Sequence, residues 1–458
     1  MIEYKKLRIN LIEDQRLDLT TGNIKKNLVR FALPYMLAAF MQTFYGMADL
    51  MIVGLYNGAE TTTAVSIGSQ VMHMLTVMIL GFAMGTTVHL GRCVGAKDKE
   101  GADRVVANSV YLFTIMAVIA TAALLCCTGL ICKVMLTPTE AVAQTREYLY
   151  ICFAGIPFII AYNVISSIFR GAGDSKRPMY FVAVACVSNI ILDFVFIGGM
   201  HLSAKGAALG TVCGQAISVL ISLVAIKKID FGFDLSIKGK KIEKDFINKI
   251  LNVGTPIAFQ DGFIQIAFIV ITAIANSRGL IAAAGVGIVE KIICFMFLVP
   301  SSFISAISAI TAQNLGAGKP DRAKKSLYYG LFITVVWGMF CAIYNQFLPQ
   351  TLVSLFTKDA LVVVAGCEYL RSYSVDTMFA AVHFCFSGYF AGCEKSKLSF
   401  IHNLVSVLLV RIPGTYLFSK WWPETLYPMG WAAPLGSLLS AIMCVIFYIW
   451  INKKAKRY

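Results

Sequence analysis

The chain has 458 residues, of which 58% are hydrophobic and only 14% charged, and its formal net charge is +15. A water-soluble domain carries roughly 25% charged residues, so this composition, with a mean hydropathy of +0.72, excludes a soluble protein. The basic excess reads as loops retained against an anionic leaflet rather than as nucleic-acid binding.

Apolar segments of about 20 residues, the length that crosses the hydrocarbon core as a helix, recur along the chain. They predict spans over 28–53, 62–89, 104–130, 147–168, 179–199 and 204–226, then over 247–275, 283–312, 326–348, 365–391, 399–419 and 431–451. The expected fold is an all-α polytopic membrane protein of twelve transmembrane helices. Residues 1–24, polar and mixed in charge, form a cytoplasmic arm with no cleavable signal peptide. A first six-helix lobe covers 25–228, a cytoplasmic linker 229–246, a second six-helix lobe 247–452, and a basic tail 453–458.

The two lobes are an internal repeat. Gly95-Ala96-Lys97-Asp98, followed by Arg104, returns 221 residues later as Gly316-Ala317-Gly318-Lys319, followed by Arg322. The same offset carries Gly171, Ser175 and Lys176 onto Gly392, Ser396 and Lys397, and Pro34 lies 222 residues before Pro256. Such duplication in a membrane protein marks a transporter that rocks two bundles around a central site.

Placing the N-terminus inside puts 31 of the 40 Lys and Arg in the cytoplasmic arm, even-numbered connectors and tail, and seven in the outer connectors. Both termini are therefore expected in the cytoplasm. The 13 Cys are scattered, mostly inside spans, without a Cys-x-x-Cys pair, and read as buried free thiols. No metallopeptidase, serine-hydrolase or phosphate-loop motif appears. The chain is thus not expected to be an enzyme, needs no cofactor, and has an ion gradient rather than ATP as its energy source.

Ionisable groups inside spans are costly and usually functional. Asp49 stands 15 residues after Pro34 in the first span, and Asn189 and Asp193 lie four apart on one face of the fifth. Thr211 enters the sixth span from outside, so all four share one depth in the outer half of the first lobe. Two carboxylates, an amide and a hydroxyl form an oxygen-rich cluster. It suits a hard cation such as Na+, or equally a shared proton between like charges in a dry site.

These features together resemble the MATE (multidrug and toxic compound extrusion) family. They are Pro34-x14-Asp49, Asn189-x3-Asp193, the run from Phe169 to Pro178, the run from Lys205 to Thr211, and the run from Gln313 to Gly318. The resemblance covers residues 22 to 450 and implies two six-helix lobes and antiport of H+ or Na+ against organic, often cationic, compounds. In its prokaryotic DinF-like branch the cation site lies in the first lobe, which matches Asp49, Asn189, Asp193 and Thr211, with Tyr148 and Asn163 contributed by the fourth helix. Gln42 and Tyr45 match positions facing the cavity, and their spacing from Asp49 puts all three on one face. The branch resembling the NorM pumps uses a Glu on the seventh helix, where this chain has Gln265. That departure argues against a similar cation site in the second lobe.

Asp261, Asp376 and His383 are the second-lobe candidates for a substrate cavity, the last two sharing a face at seven residues' spacing. Arg411-Ile412-Pro413 reads as a helix break, with Arg411 lying along the cavity or snorkelling to an interface. The expected protein is a monomeric inner-membrane antiporter, cycling by alternating access with a hinge at Pro34. It handles small organic cations and contacts membrane lipid but no nucleic acid. A lipid-linked oligosaccharide flippase of the same superfamily and a major-facilitator-type carrier are the alternatives.

Overall fold

The computed structural model describes residues 16–229, 231–235 and 239–455. Most of the expected N-terminal arm, part of the linker and the end of the tail therefore lie outside the described residues. The rest is helical, because only helices and closed barrels satisfy the backbone inside a bilayer. The helices of the first half are α1 (Ile24–Tyr56), α2 (Ala59–Ala96), α3 (Lys99–Val134), α4 (Val142–Ala154), α5 (Ile156–Gly171), α6 (Lys176–Asp193) and α7 (Ser203–Lys228). Those of the second are α8 (Lys244–Asn276), α9 (Leu280–Met296), α10 (Leu298–Gly316), α11 (Pro320–Phe347), the short α12 (Pro349–Val353), α13 (Ala360–Tyr373), α14 (Asp376–Gly392), α15 (Ser396–Ser406), α16 (Ile412–Trp421), the single turn α17 (Tyr427–Gly430) and α18 (Ala432–Ala455).

Among the described residues, ten helical stretches are long and apolar enough to cross a membrane, and α4 with α5, bent by 45° at Gly155, makes an eleventh. The expected span at 365–391 is divided between α13 and α14, of 14 and 17 residues, which carry Glu368, Arg371 and Asp376. The fourth span of each half is thus interrupted within two residues of the same register, at Gly155 in one and at Ser374-Val375 in the other.

The repeated block proves to be a helix–turn–helix joint. In the first copy Lys97 adopts the left-handed conformation (φ 58°) that closes α2, and Asp98 caps α3 by accepting from the Gly101 N–H at 2.9 Å. In the second copy Gly318 takes the left-handed position (φ 68°) and Pro320 opens α11. Gly173 and Glu394, also 221 apart, hold left-handed backbone at the next repeated joint.

By contacts the chain divides into two units. One holds 16–19 and Leu33–Leu251; the other holds Thr20–Ala32 and 252–455. The boundary therefore falls inside α8 rather than in the stretch 229–246. The cause is local bonding. The Glu243 N–H donates to Asn108 Oδ1 at 2.7 Å, and His89 Nε2 donates to the Lys249 carbonyl at 2.9 Å. In the second unit, Lys319 Nζ and the Arg322 guanidinium donate to the carbonyls of Thr20, Thr21 and Gly22 at 2.9–3.0 Å.

The first unit packs around Phe113, Leu149, Phe153 and Ile156, and the second around Val289, Ile293, Tyr369 and Leu370. Large apolar side chains also cover the outside, including Val118, Leu130 and Leu220 on one unit and Phe332, Ile343 and Leu409 on the other. Such faces suit lipid rather than water. With lipid as apolar as the core, helices associate through small residues that let backbones approach. Gly388 and Gly392 do this where α14 meets α10: a Cβ on Gly388 would lie 2.6 Å from the Ile304 carbonyl oxygen, and one on Gly392 2.6 Å from Thr311 Cβ. We expect Gly388→Ala to lower stability by about 1–3 kcal/mol through overpacking. Gly287→Ala, where nothing lies within 4 Å, should be neutral or stabilising by up to about 1 kcal/mol. Thermal unfolding of the detergent-purified variants measures both, and equal effects would refute the close-packing argument.

Candidate functional site

Three elements of the first unit build the site. α1 supplies Asp49 and α6 supplies Asn189 and Asp193, all buried to within 3%. The carboxyl groups of Asp49 and Asp193 are close enough to interact electrostatically. The third element, α7, supplies space. A Cβ on Gly210 would collide with Asp193 Oδ1, and one on Gly214 would sit 3.2 Å from Asn189 Cβ. Glycines four apart on α7 thus let α6 press its polar face against a helix backbone. Directly after Asp193 the fifth span loosens into a π-type turn, Phe194–Gly199, a feature that concentrates at functional positions.

Five buried polar atoms here have no hydrogen-bond partner: Asp49 Oδ1, both carboxylate oxygens of Asp193, and Oδ1 and Nδ2 of Asn189. Buried polar groups are normally satisfied, and two like charges cannot share a dry site unless a proton or cation joins them. Four of the five atoms are oxygens, the donor type that H+ and hard cations take.

The other expected members surround this core. Tyr148 and Tyr45 are close enough to feel the charge of Asp49. Tyr148 is buried, hydrogen-bonds Ser69 Oγ at 3.1 Å, and lays its ring over Gly68. Tyr45 is half-buried and lies near Gln215. Gln42, one turn away on the same face, is exposed. Thr211 is half-buried beside Gly210. Asn163 is buried, but its amide donates back to the Ile159 carbonyl at 2.9 Å. α1 runs unbroken through buried Pro34, whose missing N–H leaves the Arg30 carbonyl without its usual partner.

The second-unit candidates have a different setting. Asp261 is half-buried next to Gln260. Asp376 and His383 do share a face, but both are buried, and Asp376 is paired with Arg411 at 3.2 Å. The Arg411 guanidinium is engaged in this pairing and donates also to Ser437 Oγ at 2.6 Å. Sequence reasoning missed this pairing, and also the part played by Gly210 and Gly214. The small-residue spacing Gly206, Gly210, Gly214 carried the second signal.

The MatE family model matches the chain twice, over residues 34–195 and 256–417, each match opening on one of the paired prolines. The chain belongs to the MatE family. It is 27% identical over 443 residues to YpnP of Bacillus subtilis (strain 168), named a probable multidrug resistance protein, covering 96% of this chain and 98% of that one. It is 24% identical to the NorM of Thermotoga maritima, likewise named, covering 93% and 90%. A solved multidrug resistance MATE transporter of the MOP superfamily, in an outward-facing conformation, superposes with a TM-score of 0.90 at 23% identity over 97% of this chain and 99% of that one. This MATE protein is accordingly a transporter and not an enzyme.

The geometry gives a direct test. Gly210→Ala should displace the Asp193 carboxylate at a cost of about 1–3 kcal/mol and strongly reduce transport. Gly46→Ala, also on a transmembrane helix but with no atom within 4 Å, should leave transport unchanged. Transport assayed at matched membrane expression decides, and an active Gly210→Ala protein would show that α7 does not position Asp193.

Proposed function

We propose that this chain is an ion-coupled antiporter that exports organic, often cationic, compounds across the plasma membrane. The coupling ion, H+ or Na+, binds at Asp49, Asn189 and Asp193, with Thr211 and Tyr148 at the rim. One observation carries the reading: two carboxylates from distant segments are buried together with three of their four oxygens unpartnered. The names of the relatives support the substrate class, and the distribution of Lys and Arg supports cytoplasmic termini.

The mechanism follows from charge. With the pair ionised, repulsion and desolvation disfavour tight packing of α1 against α6 and α7. Arrival of a proton or Na+ from outside removes that penalty, so α1 repacks, flexing where Pro34 interrupts its hydrogen-bond ladder. Substrate and ion thereby stabilise opposite states of one bistable element, which is what antiport requires.

Proteoliposomes with imposed pH and Na+ gradients, tested separately, give the ion. Asp49→Asn and Asp193→Asn should each abolish gradient-driven efflux of an organic cation while preserving expression and insertion. Thr211→Ala, which removes a neutral oxygen, should have a smaller effect. Wild-type efflux by both carboxamide variants would overturn the assignment.

A further inference from the structure

The fifth span of each half carries an ionisable group at one level. The 221-residue offset sets Arg411 against Ile190, between Asn189 and Asp193. Each span also contains a π-type turn, Phe194–Gly199 directly after Asp193 in the first half and Val407–Arg411, ending on Arg411, in the second. The chemistry at the two levels is opposite. Asp49 and Asp193 have unpartnered oxygens. Asp376, fully buried, receives Arg411 NH2 at 3.2 Å on Oδ2 and 3.4 Å on Oδ1.

The same guanidinium nitrogen donates to Ser437 Oγ at 2.6 Å, and Ser437 meets His383 Nε2 at 3.4 Å. The His383 ring lies 5.6 Å from that of His402, whose Nε2 bonds Ser387 Oγ at 3.1 Å. Tyr369 and Tyr373 from α13 lie within electrostatic reach of Asp376, Arg411 and Glu290. Glu290 is itself held by Thr272 Oγ1 at 2.7 Å. The Arg411 side chain is only 13% exposed.

We infer that Arg411 is a built-in cation. In the second half its guanidinium holds the place that the exchangeable H+ or Na+ takes in the first, so that this protein couples through a single site. The inference rests on Asp49 and Asp193 being the coupling pair. A buried carboxylate needs a countercharge. A guanidinium does not lose its proton in a protein and cannot diffuse away, so Asp376 keeps one charge state throughout the cycle. Gln265, which cannot titrate, stands on the seventh span where a coupling carboxylate would be needed, in keeping with this division. Without Arg411, Asp376 would be a buried carboxylate with no partner, and would have to take its proton or cation from water. A second exchangeable site would appear.

The experiment counts ions. Detergent-purified protein is mixed with tetraphenylphosphonium as the organic cation, and H+ release and bound 22Na+ are followed separately. Arg411→Gln should raise the ions released per protein by about one over wild type. The neutral pair Asp376→Asn/Arg411→Gln should return the wild-type count. Asp49→Asn should remove the wild-type release but spare the additional ion in the Arg411→Gln background.

An unchanged count in folded Arg411→Gln protein would overturn the inference, as would an increase that persists in the double variant. If Arg411→Gln fails to fold, a folded double variant with the wild-type count supports charge compensation, and a double variant that also fails refutes it. Wild-type release by Asp49→Asn would instead refute the coupling site in the first half, independently of Arg411.

Discussion

Two carboxylates buried side by side without a resident countercharge set the terms for the rest of the first unit. At 4 Å two like charges repel by about 4 kcal/mol at an effective dielectric of 20, and removing each from water costs several kcal/mol more. Within a helical bundle that penalty cannot be relieved by rearranging loops. An ion must arrive or the helices must part. On the proposed reading, the stability of the packed arrangement of α1, α6 and α7 depends on the occupancy of one site, and that dependence is a coupling free energy.

The cluster closes because α7 offers no side chain where Asp193 and Asn189 need room. Gly210 and Gly214 bring a bare backbone against α6, and the same device recurs at Gly388 and Gly392 where α14 packs on α10. In lipid, where burial of apolar surface drives little association, such small-residue seams supply much of the packing. They also make the site sensitive to single methyl groups. Function and helix association draw on the same glycines, so a change at Gly210 acts on both.

The fold was largely legible in the sequence. Each expected span overlaps a helix, because apolar length is a strong signal and the charged joints punctuate it. The repeated joint was visible as letters, while its physical content, a left-handed residue at Lys97 and Gly318 followed by a helix start, needed coordinates. Of the site, Asp49, Asn189 and Asp193 were legible because charge inside a span is rare. Their convergence on Gly210 was not, since glycine in a membrane helix is common and a helical face does not specify which neighbour it meets. The partner of Arg411 was not legible for a related reason. One Arg beside a proline is compatible with a cavity wall or an interface, and only the position of Asp376 on another helix turns it into half of an ion pair.

Duplication supplied two scaffolds with the same joints, the same broken fourth span and the same loosened fifth span. Symmetry of backbone did not preserve symmetry of charge. On the proposed reading, one half holds a site whose countercharge comes and goes, the other a site whose countercharge is covalently attached. A two-lobed antiporter needs at least one element whose packing depends on an ion, but a second would double the ions consumed per substrate exported. Fixing the charge of one half limits that cost and leaves its helices free of ion-dependent repacking. An Arg one level above a buried Asp is a small sequence change with that consequence, because a guanidinium is the one side-chain cation that stays charged when buried.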